Sequence, residues 1–219
     1  SGADLIVLCA PVGALPGLVR RVWPHLAPGA VLTDVGSVKG EVVAAAEACP
    51  ARSDAGFVGG HPMAGSERSG FSAADPDLFE GRLTLLTPTP RTPEEALGRA
   101  TAFWEALGSQ VRLISAEAHD RAVAAVSHLP HLAAYGLVAA ADGEALALAG
   151  RGFGDTTRIA ASAEALWTDI FRGNRQALLE ALGQYRGILA RWEALIQEGD
   201  WGALEAALAR ARELREKLP

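Results

Sequence analysis

Five histidines occur in the 219-residue chain, and one of them, His61, stands in the glycine-dense run FVGGHPMAGSERSG (57–70). An imidazole ionises near pH ~6.5, so a histidine flanked by glycines that let backbone and ligand approach closely suits general-base work on a hydroxyl. Ser37, in DVGSVKG (34–40), is a hydroxyl suited to orienting that imidazole or a substrate. A structural turn with an incidental surface histidine is the competing explanation of the same run. A second group, HDRAVAAVSHLPH (119–131), carries His119, Ser127, His128 and His131. At ~100° per residue, Ser127 and His131 fall within ~40° of each other on one helical face. His128 and His131 have an i, i+3 spacing that a metal accepts, but neither cysteines nor an HExxH pattern accompany them; a polar cleft wall is expected and no metal site. The third group, GRGFGDTTRIAASAEALWTDIF (150–171), holds Arg158 after a glycine-rich turn, and Trp167. A guanidinium there suits bidentate capture of a carboxylate. A salt bridge to Asp155 is its plainer alternative.

Elements able to position these groups are legible. DLIVLCAP (4–11) and AVLTDVGS (30–37) are apolar runs of the kind buried on both faces of a sheet, and AGFVGG (55–60) is a third, short strand. RLTLLTP (82–88) and QVRLISA (110–116) add two more. Between them lie helices: ALPGLVRRVWPHL; VKGEVVAAAEA with Ser37 at its N-cap; and TPEEALGRATAFWEALG with Thr92 as cap, Pro93 at its first position and Gly108 as stop. Alternating strands and helices predict a mainly parallel, helix-covered sheet, in which ligands bind beyond the carboxyl ends of the strands. From about residue 116 the pattern is helical, with an interruption expected at Pro130 and long helices near 174–198 and 200–217. The expected organisation is therefore α/β over 1–115 followed by an all-α part over 116–219. Trp167, Trp192 and Trp201 in the helical part suit a dimer interface.

Bulk composition narrows the function. With 49% hydrophobic residues and a net charge of −6, a packed core is expected, and nucleic acid or an anionic membrane is disfavoured as a partner. No uninterrupted apolar run approaches the ~18–20 residues of a membrane span, and no signal-peptide pattern opens the chain. Cys9 and Cys49 lack metal or redox spacing, which fits a reducing cytoplasm. Lys39 and Lys217 are the only lysines, read here as compositional drift toward arginine.

Taken together and in this order, DVGSVKG, GGHPMAGSERSG, HDRAVAAVSHLPH and GFGDTTRIAASAEALWTDI resemble the prephenate dehydrogenase family, which includes arogenate dehydrogenases. The resemblance spans nearly the whole chain. It implies a partial Rossmann-like domain followed by a helical dimerisation domain, acting as a cytoplasmic homodimer in tyrosine biosynthesis. It implies that His61 is the catalytic histidine on the ring hydroxyl of prephenate, that Ser37 positions it, and that Arg158 binds a substrate carboxylate. Ser127, His131, His119, Glu67 and Trp167 match residues in or beside the substrate pocket. Ala10, Pro11, Val12, Gly36 and Ser37 match loops facing the nicotinamide of NAD or NADP. The implied reaction is oxidative decarboxylation of prephenate to 4-hydroxyphenylpyruvate. Arogenate oxidation, or a non-catalytic dimerisation and ligand-binding module, are the alternatives.

One departure from the family pattern carries expectations of its own. Relatives open with a strand, a G-x-G-x-x-G turn and a helix that hold the pyrophosphate. The nearest glycine pattern here, GRGFGD (150–155), lies in the helical part and follows no strand. The chain thus reads as beginning at the fourth strand of the usual order. That predicts weak cofactor binding and an apolar sheet edge at LIVLCA prone to pairing or aggregation. With Pro219 soon after the last helix, no separate C-terminal regulatory domain is expected.

Overall fold

The computed structural model describes residues 2–65 and 74–218. By its internal contacts the chain forms two compact units, Ser1–Leu178 and Leu179–Pro219.

The first unit opens on a five-stranded sheet in the order β1 (Leu5–Leu8), β2 (Ala30–Asp34), β3 (Ala55–Pro62), β4 (Leu83–Thr87), β5 (Gln110–Leu113). The strand period of two sends alternate side chains to opposite layers. Leu8, Ala30, Leu32 and Phe57 pack with α1 (Leu15–Val22) and α2 (Gly40–Glu47), whereas Val31, Val58 and Leu86 pack with α3 (Glu94–Ala106) around Trp104. As expected the sheet is mainly parallel, but β4 runs antiparallel to β3, with His61 opposite Leu85 and Pro62 opposite Thr84. The start of β4 therefore lies beside the end of β3. β1 stands at the sheet edge, paired among the described residues with β2 alone, and its Leu5, Ile6 and Val7 are half-buried. Both of its faces are packed, Ile6 and Leu8 in one layer and Leu5 in the other, as its apolar run suggests; its remaining exposure is that of the expected sheet edge, where no further described strand pairs.

β3 is longer than its sequence suggests. It continues through Gly59, Gly60 and His61 to Pro62, every residue buried. Gly60 permits this: a Cβ there would lie 2.6 Å from the Asp34 carbonyl oxygen, so β2 and β3 approach too closely for any side chain.

Two expected caps differ. α2 begins at Gly40, three residues beyond Ser37, and its first amides are bonded by the carboxylate of Asp120 instead. Thr92 does not cap α3 either. Its hydroxyl donates to the Phe57 carbonyl and accepts the Thr89 N–H, while Pro93 occupies the cap position. Gly108 ends the segment as expected, in the left-handed region at φ 82°.

After β5, α4 (Ala116–Val123), a π-helical turn (Ala124–His128) and α5 (Leu129–Ala140) form one continuous helix. Pro130 does not break it. Proline lies in the first turn of α5, where its missing N–H is tolerated, and the wider π turn before it absorbs the mismatch. Continuity gives Ala116–Ala140 the length and mean apolarity of a membrane span, although no uninterrupted apolar run of that length occurs in it. This helix nonetheless holds buried His119, Asp120 and His128, each with polar partners inside the unit. The glycine-rich turn expected before Arg158 is also helical: α6 (Gly143–Ala147) and α7 (Arg151–Thr157) precede a 3₁₀ turn at Arg158–Ala161, then α8 (Glu164–Gly173).

The second unit consists of most of α9 (Arg175–Glu198), with Gly199, at φ 69°, and Asp200 linking it to α10 (Trp201–Arg215). Asp200 accepts the Ala203 N–H as a side-chain cap.

Candidate active site

A cavity of about 510 Å³ opens within the first unit, where the end of β3 meets α5, the turn at Arg158–Ala161 and α8. His61, Ser37, Ser127, His131, Arg158 and Trp167 all line it. Segments as far apart in the chain as Ser37 and Trp167 thus converge on one space. His131 stacks on Trp167, ring centroids 3.4 Å apart at 21°, and its Nδ1 contacts the Ser127 carbonyl at 2.9 Å. Burial lowers the His131 pKa, the Ser127 carbonyl opposes this, and the Arg158 charge adds to the lowering. Tyr135 donates to the Ser162 carbonyl at 2.7 Å, tying α5 to the start of α8.

His119 takes a different place from the one expected. It is fully buried and lies behind His61, its Nε2 2.8 Å from His61 Nδ1. It is not among the cavity-lining residues. Glu67 lies outside the described residues. The proposed cofactor loops follow the carboxyl ends of the adjacent parallel strands β1 and β2. Val12 packs with Val38, Trp167 and Ile170, so this loop abuts the helix that walls the cavity. Gly36 is buried and donates its N–H to Asp34 at 2.8 Å; Ala10 is half-buried and Pro11 exposed. Among the described residues no three His, Cys, Asp or Glu side chains are grouped to hold a metal ion.

Behind His61 lies a buried charge network absent from the sequence-level list. Lys39 is completely buried. Its ammonium pairs closely with Asp34 and donates to the Gly60 carbonyl at 2.7 Å. Asp34 accepts the amides of Gly36 at 2.8 Å and Gly60 at 3.1 Å, so one carboxylate ties the end of β2 to the residue preceding His61. Asp120 accepts from the Lys39 and Gly40 amides, each at 2.8 Å, and contacts His119 Nδ1 at 2.7 Å. Asn174 donates to the Asp120 carbonyl at 2.7 Å and lies 3.2 Å from His128 Nδ1. Burial holds the His61 pKa well below the ordinary imidazole value, with smaller contributions from His119, Lys39 and His128. His61 is therefore a neutral imidazole at neutral pH. Burial likewise lowers the pKa of His128 to about 4, against a raising effect of Asp120.

Lys39 had one visible signal. It is one of two lysines in a chain with 20 Lys and Arg in all, and a fully buried cation with a compact head is a place where arginine does not fit. Arg82, also missed, lines the cavity because antiparallel β4 starts at that end of the sheet.

An α/β layer whose strand ends deliver a neutral histidine to a helix-walled cavity defines a class: an open α/β scaffold with a ligand site beyond its strand ends, equipped to accept a proton. Comparison with known proteins gives the particular family. Residues 1–113 match the prephenate dehydrogenase nucleotide-binding domain, and residues 115–210 match the prephenate dehydrogenase dimerization domain. The chain belongs to the prephenate dehydrogenase family. It is 35% identical to the cyclohexadienyl dehydrogenase of Zymomonas mobilis over 91% of its own length and 70% of that protein's. It is 32% identical to the prephenate dehydrogenase of Lactococcus lactis over 99% of its own length and 61% of that protein's. Among solved structures it superposes with TM-score 0.89 on the prephenate dehydrogenase of Aquifex aeolicus in complex with hydroxyphenyl propionate and NAD+, at 34% identity, covering 99% of this chain and 77% of that one. It also superposes on Synechocystis arogenate dehydrogenase with TM-score 0.86, at 35% identity, covering 99% and 79%.

Proposed function

We propose that this chain carries the substrate site of a dehydrogenase that oxidatively decarboxylates prephenate to 4-hydroxyphenylpyruvate, a step of tyrosine biosynthesis, with NAD or NADP. The observation that carries this reading is a neutral His61 lining the same cavity as Ser37 and Arg158. The substrate has a hydroxyl on the carbon that gives up hydride, and two carboxylates. His61 takes the hydroxyl proton, which pushes electron density toward the departing hydride. Loss of the ring carboxylate as CO₂ leaves its bonding electrons in the ring, which becomes aromatic. Ser37 orients the hydroxyl and the imidazole, and Arg158 holds one carboxylate. Ser127, His131 and Trp167 form the wall on which the ring rests, and Arg82 is the second cation available to a dianion. Glu67 belongs to the same proposal through its family match alone.

Nicotinamide supplies the hydride acceptor when bound. Ala10, Pro11, Val12, Gly36 and Ser37 are the residues proposed to face it. Ser37 at the cavity wall and Val12 against Trp167 fit a nicotinamide ring beside the substrate. No G-x-G-x-x-G turn following a strand occurs in these 219 residues, so weak binding of NAD+ and NADP+ is expected of this chain by calorimetry.

Arogenate oxidation is the second reading, favoured by the likeness to the Synechocystis enzyme. Rates with prephenate and arogenate, each with NAD+ and NADP+, followed by nicotinamide absorbance, test both. Failure of both substrates to react in protein shown to bind NAD+ or NADP+ would refute the enzymatic reading. A homodimer is proposed on the match to the dimerization domain and on exposed Leu189, Ile196, Trp201, Leu208 and Leu214 along the last two helices. Trp167, by contrast, is buried beside the cavity and does not serve that surface. Sedimentation at micromolar concentration checks the dimer. A cytoplasmic setting is proposed on the two free cysteines.

A further inference from the structure

A chain of buried hydrogen bonds runs from the N-terminus of α2 to the cavity, and each link dictates the next. Asp120 accepts the Lys39 amide on Oδ1 and the Gly40 amide on Oδ2. Each oxygen thus accepts a backbone N–H, so neither presents a proton to His119. The 2.7 Å contact of Asp120 with His119 Nδ1 is therefore donated by the imidazole. When the His119 ring carries that one proton, on Nδ1, its Nε2 is a bare acceptor. The 2.8 Å contact between His119 Nε2 and His61 Nδ1 is then donated by His61. His61 carries its proton on Nδ1 and turns the lone pair of Nε2 toward the cavity.

We propose that Asp120 and His119 are positioning residues that set the tautomer of His61, ordering it from the N-terminus of α2. The proposal deepens the reading of His61 as the base and rests on it for its functional meaning. Free histidine in water favours the opposite tautomer, with Nε2 protonated and nothing to accept a substrate proton. His119, from α4, is fully buried and Asp120 nearly so, and neither lines the cavity, so their influence on a ligand passes through His61. Lys39, from the segment before α2, and His128, from the π turn, are the other ionisable groups facing His61. Among the described residues only His119 is hydrogen-bonded to its ring. The same carboxylate that sets the tautomer also fixes the backbone two residues after Ser37, so proton acceptor and neighbouring hydroxyl are aligned by one side chain.

Long-range proton–nitrogen correlation spectra of the histidine-labelled chain, recorded without substrate or cofactor, test this. They are taken at about pH 8, above the ordinary imidazole range near ~6.5. The wild type is expected to show His61 with a bare, pyridine-type Nε2 and a protonated Nδ1. Because Asp120 also caps α2, His119→Phe and His119→Gln provide a pair that leaves the cap in place. Phe removes the acceptor and is expected to invert His61, while Gln restores a carbonyl acceptor and is expected to preserve the wild-type tautomer. A wild-type His61 protonated on Nε2, or a His61 tautomer unmoved by His119→Phe, would overturn the proposal. Neither outcome depends on turnover, so failure here is distinct from failure of the enzymatic reading.

Discussion

The two sides of His61 are built from opposite materials. Behind it, Asp34, Lys39, His119 and Asp120 form a layer of buried charged and titratable groups, bonded to one another and to backbone amides and carbonyls. In front of it, the cavity is lined by aromatic and aliphatic groups, with Ser37, Ser127, Arg82 and Arg158 at a few points. Taking an ion out of water costs several kcal/mol unless it is fully paired, so the rear layer tolerates one arrangement only. The front is open to solvent and is free to exchange water for ligand. The contrast separates two tasks. The rear layer holds the charge state and direction of the imidazole, and the front recognises what meets it.

Substitution at the boundary itself has the largest expected effect. His61→Asn removes the proton acceptor, and kcat for prephenate oxidation is expected to fall by about 10²–10⁴ while thermal unfolding stays close to wild type. Next comes the rear layer. Lys39→Met leaves Asp34 buried without its cation, and a loss of about 3–5 kcal/mol in denaturant unfolding is expected. Asp34→Asn combined with Lys39→Met removes both charges and is expected to cost clearly less than the sum of the single changes. An additive double variant would show that the pair is not coupled.

Acid titration sharpens the same contrast. Unfolded histidine binds a proton below about pH 6.5, whereas folded His128 does so only near pH 4 and folded His61 also well below the ordinary value. Between those values the unfolded state holds more protons, so stability is full above about pH 6.5 and falls as the pH is lowered. For His128 the loss amounts to at most ~3 kcal/mol, and His128→Asn is expected to flatten the pH dependence of unfolding over that window. The smallest effect is expected at the front. Arg158→Gln removes charge-assisted hydrogen bonds worth about 1.5–3 kcal/mol, so the prephenate KM is expected to rise roughly 10- to 100-fold, with an unfolding shift well below that of Lys39→Met. Unfolding shifts as large as those of Lys39→Met would erase the distinction between the two sides.

Much of this was legible in the residues. The strands announce themselves as short apolar runs ended by Pro or Gly, and the long C-terminal helices by their pattern, because burial on a sheet or helix repeats with a local period. Ser127 and His131 stand out by spacing, Ser37 and Arg158 through their match to the family motifs, and the structure brings all four to one cavity with His61. Caps were less legible. Ser37 and Thr92 have the right chemistry for a helix start, yet α2 takes its cap from Asp120, a residue 81 positions from Lys39. Nothing local distinguishes a hydroxyl that caps from one released toward a cavity.

The sequence by itself determined which chemical groups this protein owns: a histidine among glycines, serines and arginines suited to a hydroxy dianion, and the elements that carry them. Tertiary structure alone decided their relations. It put His119 behind His61, buried Lys39 against Asp34 with full pairing, and reversed β4 so that Arg82 reaches the cavity. Two of these join partners distant in the chain; Asp34 is only five residues from Lys39, but the ammonium is buried because the Gly60 carbonyl, 21 residues on, also receives it. Pairing direction and burial are set by the sum of long-range contacts, which no periodicity within one segment records.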